Sequence, residues 1–271
     1  MSKKPLVSIL IASFNKEMYV KRCITSCLNQ SYKNIEIIFY DDGSTDNSLS
    51  IAKKFKKIKI LNNNKKKKIA PFNTYPQINS YCRAFNRANG AIITFLDSDD
   101  FYSKNKIKLI VDHFQKNKNS NIVFDLPIYI YENNKISKTN KYNYKPRNKN
   151  IWPKFPPQSC ISIKRNFFNK YYNDINNRNF SMLTLDFRLA VLGNIIINEF
   201  SLLNKNLISY FQDSKGESSS KFKHFSINWW LRRRQAHTYT RYISKKYKIH
   251  YNLSFDFIIT KMISLFFIKE I

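Results

Sequence analysis

The chain has 271 residues, with 47 lysines and arginines against 18 acidic residues, so its formal net charge at neutral pH is +29. Because 43% of the residues are apolar and 15% are aromatic, the chain can bury a large core, which excludes an intrinsically disordered protein. Its four glycines lie at least 23 residues apart, which excludes the closely spaced glycines of a dinucleotide-binding fingerprint or a P-loop.

Strand and helix patterns alternate regularly over the first 126 residues. Continuous apolar runs predict strands at 6–12, 35–40, 58–61, 91–96 and 122–126. Amphipathic patterns between them predict helices at 17–30, 46–56, 77–88 and 104–116, with Asn15 as the N-cap of the first. Unbroken apolar strands that alternate with helices predict an α/β fold with a mostly parallel sheet, covered by helices on both faces.

The pattern changes in the second half of the chain. The polar stretches 62–68 and 133–150 predict exposed loops. A Pro-rich segment from Trp152 leads to a predicted strand at 160–163, one or two helices and an apolar run at 194–200. We therefore predict one domain at 1–220, with halves at about 1–126 and 127–220, and a basic, aromatic helical appendage at 221–271.

Acidic residues directly follow two of the predicted strands, as Asp41, Asp42 and Asp46 after the second and as Asp97, Asp99 and Asp100 after the fourth. In a parallel sheet, ligands gather at the carboxyl ends of the strands. Carboxylates concentrated there in so basic a chain are expected to bind a cation. Because Mg²⁺ typically takes one or two carboxylates plus substrate phosphates, the D-x-D pattern indicates half of a metal–diphosphate site. The alternative is that these aspartates cap helices and shape turns, with Asp46 capping the next helix and Asp100 or Ser103 starting another.

Three segments in this order and spacing, VSILIASFN, IIFYDDGSTDNS and RANGAIITFLDSDD, resemble the family 2 glycosyltransferases. The resemblance covers about residues 4–126 and continues more loosely to about 220. It implies a GT-A fold, with a mostly parallel Rossmann-like sheet flanked by helices. The implied reaction is an inverting, metal-dependent transfer of a hexose-type sugar from a nucleotide-diphosphate donor, expected to be a UDP-sugar. The acceptor would be a hydroxyl of a glycan or lipid-linked molecule in the synthesis of cell-surface polysaccharide or lipopolysaccharide.

The resemblance also assigns roles to the first half of the domain, as the nucleotide-sugar half. The acidic pair Asp41 and Asp42 would read the base, and Asp97 would lie near the ribose and the metal. Asp99 would bind the metal, Mn²⁺ or Mg²⁺, directly. The remaining nucleotide-sugar contacts implied by the resemblance are Ala12, Ser13, Phe14, Asn15 and Ser98.

The second half would provide the acceptor side and the catalytic base. FPPQSCISIKR resembles the strand of the acceptor wall, with Gln158 and Ser159 facing the cleft. TLDFRLAVLGNIIINEFSLL resembles the stretch that carries the base, which makes Asp186 the expected base, with Leu189, Gly193 and Glu199 in corresponding places. The alternative for Asp186 is a helix cap or an ion pair with Arg188.

Two departures from the family pattern leave a second function open. In ISYFQDSKGESS, Phe211 and Asp213 replace the arginine and histidine of the closing loop, so that Lys215 or Lys221 would have to substitute. Tyr81 and Cys82 occupy the place of an A-R-N segment before Gly90, so that Arg83 would have to serve in place of the family's arginine. The alternative to an active enzyme is a weak or inactive transferase-like protein that acts as a basic membrane-binding or polyanion-binding module.

The appendage from Lys221 onward carries eleven lysines and arginines against Asp256 and Glu270, interleaved with aromatic residues. This composition predicts helices on an anionic membrane surface, and the alternative is a helix packed on the domain with its lysines in water. Four cysteines without C-x-x-C spacing and the lack of a secretory signal in the sequence predict a cytoplasmic protein, peripheral on the inner face of the membrane. We expect no nucleic-acid partner.

Overall fold

The computed structural model describes residues 4–64, 72–133, 135–138, 155–197, 201–212, 222–250 and 254–266, with the backbone alone for 195–197. The strands are β1 (Val7–Ser13), β2 (Ile35–Asp41), β3 (Lys59–Asn62), β4 (Ile92–Asp97), β5 (Phe101–Tyr102), β6 (Ile122–Tyr131), β7 (Ile136–Lys138), β8 (Ile161–Lys164) and β9 (Ser201–Gln212). The helices are α1 (Glu17–Leu28), α2 (Ser48–Lys53), α3 (Tyr75–Phe85), α4 (Lys106–Lys116), α5 (Arg165–Lys170), α6 (Tyr172–Ile175), α7 (Leu185–Val191), α8 (Ile227–Lys246) and α9 (Phe255–Phe266). Short 3₁₀ turns lie at Gln158–Cys160 and Arg178–Phe180, and a π-helical segment, Leu192–Ile197, follows α7.

The described strands form one mixed sheet in the order β3-β2-β1-β4-β8-β6-β9-β5, with β7 paired to β6. The first four strands in this order are parallel, as the sequence predicts. Beyond β4 the sheet is mixed, because β8 runs antiparallel to both β4 and β6, while β9 returns parallel to β6 and pairs antiparallel with β5. The mostly parallel arrangement therefore describes the first half, and the second half closes the sheet with reversed strands.

Both faces of the sheet are buried, which explains the unbroken apolar strands. Along β1, Leu10 and Ala12 face one core cluster, whereas Val7, Ile9 and Ile11 face the other. The first cluster lies under α3 and the helices of the second half, and the other lies under α1, α2 and α4. The four cysteines are buried and free, as small apolar side chains in these cores.

Helix α8 belongs to the main core. Its residues Ala236, Tyr239 and Ile243 are buried in the first cluster. The Asp174 carboxylate of α6 accepts hydrogen bonds from three groups of the α8 region, the Lys246 ammonium at 2.6 Å and the hydroxyls of Tyr242 and Tyr247 at 2.9 and 2.6 Å. Within the described ranges, no helix combines the length and apolarity that a membrane crossing requires.

Candidate functional site

The two acidic clusters lie at the same edge of the sheet, on either side of β1. In the strand register, Ser13 of β1 lies beside Asp41 and Ala12 lies beside Asp97. Since neighbouring strands are about 4.8 Å apart, the backbones of the two aspartates are about 10 Å from each other across β1. Backbone bonds continue this arrangement past the strand ends, from the Asp42 amide to the Ser13 carbonyl and from the Ser98 amide to the Ala12 carbonyl. The sequence prediction of one shared site at the strand ends is compatible with this geometry.

The loop after β1 is held to the acidic loop after β2 by Asn15. This residue adopts a left-handed backbone with φ 51°, and its side-chain oxygen accepts a hydrogen bond from the Thr45 amide at 2.8 Å. Its own amide donates to the Ser44 hydroxyl at 3.0 Å. The expectation that Asn15 caps α1 is therefore wrong: the helix begins after Lys16 without a side-chain cap, because the Asn15 carboxamide serves the neighbouring loop.

Asp41 and Asp42 are both buried at the end of β2. One oxygen of Asp41, Oδ2, accepts the amides of Gly43 and Ser44 at 3.1 and 2.9 Å, which folds the turn back on its own carboxylate. The other, Oδ1, is buried without a hydrogen-bond partner among the residues that the structure describes. A buried carboxylate oxygen is costly to leave unpaired, so this atom is suited to accept an N–H group from a ligand. Asp42 accepts a hydrogen bond from the Asn63 amide group at 3.3 Å.

Asp97, at the end of β4, is the most densely bonded acid of the site. Its Oδ1 accepts hydrogen bonds from the side chains of Gln77, Tyr81 and Gln158 at 2.8, 2.7 and 2.8 Å. Burial and the nearby Asp99 carboxylate raise the pKa of Asp97 to about 7, against these hydrogen bonds. A cation beside the carboxylate would favour its ionised form and remove this electrostatic cost.

The other two acids of this loop differ in surroundings. Asp99 is partly exposed and pairs with the ammonium of Lys16 at 2.7 Å. Burial opposes the charge of Lys16, but Asp99 keeps the Lys16 pKa above its ordinary value. Asp100 is buried and accepts the Ser159 hydroxyl at 2.5 Å and the Phe211 amide at 2.9 Å, so it joins the β4 loop to β9 and does not start α4. Burial, then Asp99 and Asp97, raises the pKa of Asp100.

A fully buried ion pair supports this loop from below, and the sequence patterns did not identify it. The Lys106 ammonium of α4 contacts the Asp125 carboxylate of β6, and both side chains are 0% exposed. The same ammonium donates to the Ser159 carbonyl at 3.3 Å. The Ser159 hydroxyl in turn accepts the Asp97 amide at 3.0 Å. The signal in the sequence was the single acid that interrupts the apolar run of β6.

Gln158 and Ser159 therefore lie in the site, where they hold Asp97 and Asp100. The resemblance implies that they face the acceptor. One atom of the pair remains able to accept a hydrogen bond from such a molecule, because the side-chain oxygen of Gln158 is buried without a partner in the described part of the chain. The Ser159 hydroxyl is already engaged with Asp100.

Asp186, the expected base, is half-buried in the first turn of α7. Burial raises its pKa, while a hydrogen bond from the Thr184 hydroxyl, another from the Phe187 amide at 2.7 Å and the positive charge of Arg232 oppose the rise. Asp186 is close enough to Asp97 to raise the pKa of that carboxyl. This electrostatic influence is the link between the expected base and the D-x-D acid in the described part of the chain.

Two arginines near Asp186 have separate tasks. Arg188 does not pair with Asp186, because its guanidinium donates to the backbone carbonyls of Ile175, Asn177, Phe180 and Leu183 and so fixes the segment that leads into α7. The positive charge of Arg232 on α8 favours the ionised form of Asp186. Burial lowers the pKa of Arg232, although the negative charge of Asp186 partly offsets this effect. The sequence prediction missed Arg232 because it assigned all of 221–271 to an appendage.

The departures from the family pattern have partial structural explanations. Tyr81 is buried, and its hydroxyl donates to Asp97, so it supports the acid where an arginine was expected nearby. Phe211 lies at the end of β9, where its ring packs on Tyr19 with centroids 4.9 Å apart. Asp213, Lys215, Lys221 and Glu199 lie outside the described residues.

The acids present fit a divalent cation of the type that binds through substrate phosphates. No group of three or more histidine, cysteine or acidic side chains in the described ranges could hold a metal alone. Asp97 and Asp99 provide two carboxylates, which suits Mn²⁺ or Mg²⁺ when a diphosphate completes the coordination. Burial, and then the nearby Asp99 carboxylate, raises the pKa of Asp97, and a cation beside the two carboxylates would offset both effects.

Comparisons with known proteins identify relatives in sequence and in structure. The family model described as Glycosyl transferase family 2 matches residues 8–173, which ends before Asp186. An uncharacterized glycosyltransferase of Haemophilus influenzae is 42% identical over 106 residues, 38% of this chain and 40% of that protein. The minor teichoic acid biosynthesis protein GgaA of Bacillus subtilis is 39% identical over 128 residues, 46% of this chain and 28% of that protein.

In three dimensions, the chain is similar to S. aureus TarS 1–349 in complex with UDP, with a TM-score of 0.63 and 16% identity over 97% of this chain and 70% of that one. This likeness shows the fold, a GT-A sheet with flanking helices and a helical C-terminal region. The sequence matches span well under two thirds of the length of the two relatives.

Proposed function

The chain belongs to glycosyl transferase family 2, and we propose that it is an inverting glycosyltransferase that uses a nucleotide-diphosphate sugar. The observation that carries this proposal is the position of Asp41 and Asp97 at one sheet edge, on either side of β1. On the β2 side, Oδ1 of Asp41 is available to accept a hydrogen bond from a nucleobase. On the β4 side, the carboxylates of Asp97 and Asp99 are available for a diphosphate-bound cation. The electrostatic influence of Asp186 on Asp97 supports a base within the same site.

We expect the nucleotide to be UDP. The free Oδ1 of Asp41 is suited to accept the ring N–H of uracil, and the amides of Gly43 and Ser44 keep the carboxylate in place. Ala12 and Ser13, at the end of β1, lie beside the end of β2, and Phe14 and Asn15 follow in the next loop. That TarS was crystallised with UDP supports the same nucleotide for a chain of this fold.

Asp97 and Asp99 would hold Mn²⁺ or Mg²⁺, with Ser98 between them. Such a cation would stabilise the negative charge that develops on the departing nucleoside diphosphate. Lys16 would have to leave the carboxylate of Asp99 to make room, and it could then face the phosphates as a second cation. Gln77, Tyr81 and Gln158 keep Asp97 in one orientation throughout.

Asp186 would act as the general base in one displacement. As the acceptor oxygen forms its bond to the anomeric carbon, the bond from that carbon to the diphosphate oxygen breaks, and the hydroxyl proton moves to the Asp186 carboxylate. The base must be ionised for this step, and Arg232 favours that state. The raised pKa makes the carboxylate a stronger base than an exposed aspartate.

The acceptor would be a hydroxyl of a glycan or lipid-linked molecule in cell-surface polysaccharide or lipopolysaccharide synthesis, in the cytoplasm where sugar nucleotides are made. The similarity to a teichoic acid biosynthesis protein supports an acceptor of this class. The buried side-chain oxygen of Gln158 is a candidate contact for an acceptor or sugar hydroxyl.

A hydrolysis screen of UDP-sugars, with Mn²⁺, Mg²⁺ or EDTA, tests this function. Asp99→Ala should lower the metal-dependent rate by about a hundredfold or more, because one of two metal carboxylates is lost. Asp186→Asn should lower the rate similarly while UDP still binds, and Asp112→Asn on α4 is the matched control. Binding to polyanions without turnover of any sugar nucleotide would favour the alternative, an inactive transferase-like binding module.

A further inference from the structure

Helix α9 is buried on its polar side and exposed on its apolar side. Thr260 and Ser264 are fully buried, and Asp256, one turn before Thr260, contacts α8. The exposed side carries large apolar residues at helical spacing, and the two at its ends, Phe255 and Phe266, are 76% and 78% exposed. The others are Ile258, Ile259, Met262 and Leu265. A helix that packs only against its own domain would present the opposite faces.

Positively charged side chains lie on α9 and on the part of α8 that contacts it. Lys261 is exposed on α9 itself, and the exposed Arg241 of α8 lies over the Phe257 ring at 4.9 Å. Lys245, in the last turn of α8, and Lys248, just beyond the helix, are also exposed. The acidic residue of the described C-terminal helices, Asp256, is already paired with Arg233 and His237, at 2.6 and 3.0 Å.

We propose that α9 docks this protein on an anionic lipid bilayer, with the stripe from Phe255 to Phe266 inserted among the acyl chains. Charge complementarity selects this occupant, because exposed lysines and arginines beside the stripe are attracted to anionic headgroups. A second copy of the chain is the less suitable occupant, since two equally basic surfaces would repel each other. The 12 residues of α9 span about 18 Å, which suits a helix in the interface and is too short for a hydrocarbon core of about 30 Å.

Docking through α9 would hold the whole domain at the lipid surface. The Arg233 guanidinium and the His237 ring bind α9 to α8 through Asp256, and α8 is packed into the main core. Helix α8 also carries Arg232, the cation that acts on Asp186. A catalytic domain anchored in this way would meet acceptors that are themselves held at a membrane.

Flotation of the full chain with vesicles tests the proposal. Vesicles of equimolar phosphatidylglycerol and phosphatidylcholine should bind the protein, and pure phosphatidylcholine vesicles should bind it about tenfold less. The double variant Ile258→Gln/Met262→Gln should lower binding to the anionic vesicles by about tenfold, because both side chains lose their insertion. Arg241→Gln/Lys261→Gln should weaken binding less than Ile258→Gln/Met262→Gln does. The effect of removing these two charges should be smaller still at about 0.5 M salt than at about 0.1 M, because salt screens them.

The matched control is Ile136→Gln, which removes a 62% exposed side chain of β7 and should leave binding unchanged. Because all these side chains are exposed, circular dichroism and UDP binding should match the parent chain. Unchanged binding of the Ile258→Gln/Met262→Gln variant to anionic vesicles would overturn the proposal. A second result would also overturn it: the parent shows no vesicle binding and is a dimer by light scattering, whereas the Ile258→Gln/Met262→Gln variant is a monomer. The stripe would then join two copies of the chain.

Discussion

Replacing Asp125 by asparagine should destabilise the protein severely, because it leaves the buried Lys106 ammonium without a counter-charge. Both side chains are 0% exposed, and the next partner of the ammonium is the Ser159 carbonyl at 3.3 Å. Removal of one partner of such a pair typically costs about 3–5 kcal/mol. Replacing both partners with apolar residues of similar volume is often nearly neutral or stabilising. The pair therefore predicts a strongly non-additive double-mutant cycle.

Urea unfolding, followed by tryptophan fluorescence, measures this cycle. The cycle compares the parent, Asp125→Leu, Lys106→Met and Lys106→Met/Asp125→Leu, and Asp125→Asn is measured beside them. The measurement belongs at about pH 8, above the pKa of about 6 to which burial raises Asp125 against the effect of Lys106. We expect the double variant to recover most of the free energy of unfolding that Asp125→Asn loses.

The double variant should still be less active than the parent. Without the Lys106 ammonium, the Ser159 carbonyl loses a donor, and the turn that presents Gln158 and Ser159 to the acids of the β4 loop is less firmly held. Recovered stability with a lowered transfer rate would separate the two effects of the pair. A loss below about 1 kcal/mol for Asp125→Asn, or additive losses in the double variant, would refute a buried, charge-paired support under the site.

Three further variants test the site itself. Arg232→Gln should shift the acid limb of the pH–rate profile to higher pH, because loss of the cation raises the Asp186 pKa further and the general base then ionises only at higher pH. Arg241→Gln is the control, and an unchanged acid limb in Arg232→Gln would exclude this coupling. Asp41→Asn should weaken UDP binding about tenfold or more in calorimetry, since the uracil ring N–H would lose its charged acceptor. Equal UDP affinities of the variant and the parent would mean that uracil binds elsewhere. Lys16→Met should strengthen Mn²⁺ binding several-fold in the absence of nucleotide, because Lys16 competes for Asp99, and weaker binding would contradict that competition.

The sequence was sufficient for the first half of the fold because its strands are buried on both faces. Continuous apolar runs predict β1, β2, β4 and the start of β6, and the acids that follow β2 and β4 indicate the edge of the sheet at which the site lies. Boundaries are less well predicted: α2 ends at Lys53 and α3 at Phe85, each three residues before the expected end. The local sequence pattern does not indicate where a helix loses contact with the sheet.

The second half is harder to predict because tertiary contacts determine it. The end of β9 resembles a closing loop in sequence, but it forms a strand by pairing with a β6 that extends to Tyr131, five residues beyond its predicted end. The side chains behind Asp97 come from α3 and the turn at Gln158, and Arg232 comes from the far end of the chain. No spacing rule connects such positions. The helix-cap roles expected for Asn15 and considered for Asp100 are wrong for the same reason, since each side chain bonds a neighbouring loop or strand.

A crystal structure of the protein soaked with UDP and Mn²⁺ would test the central claim most directly. We predict that uracil lies against Asp41 and Asp42, and that an anomalous peak for manganese lies between the diphosphate and the carboxylates of Asp97 and Asp99. The Lys16 ammonium should then have left Asp99. UDP bound away from the β1 edge, or manganese held without either carboxylate, would contradict a catalytic site built from these two strand ends.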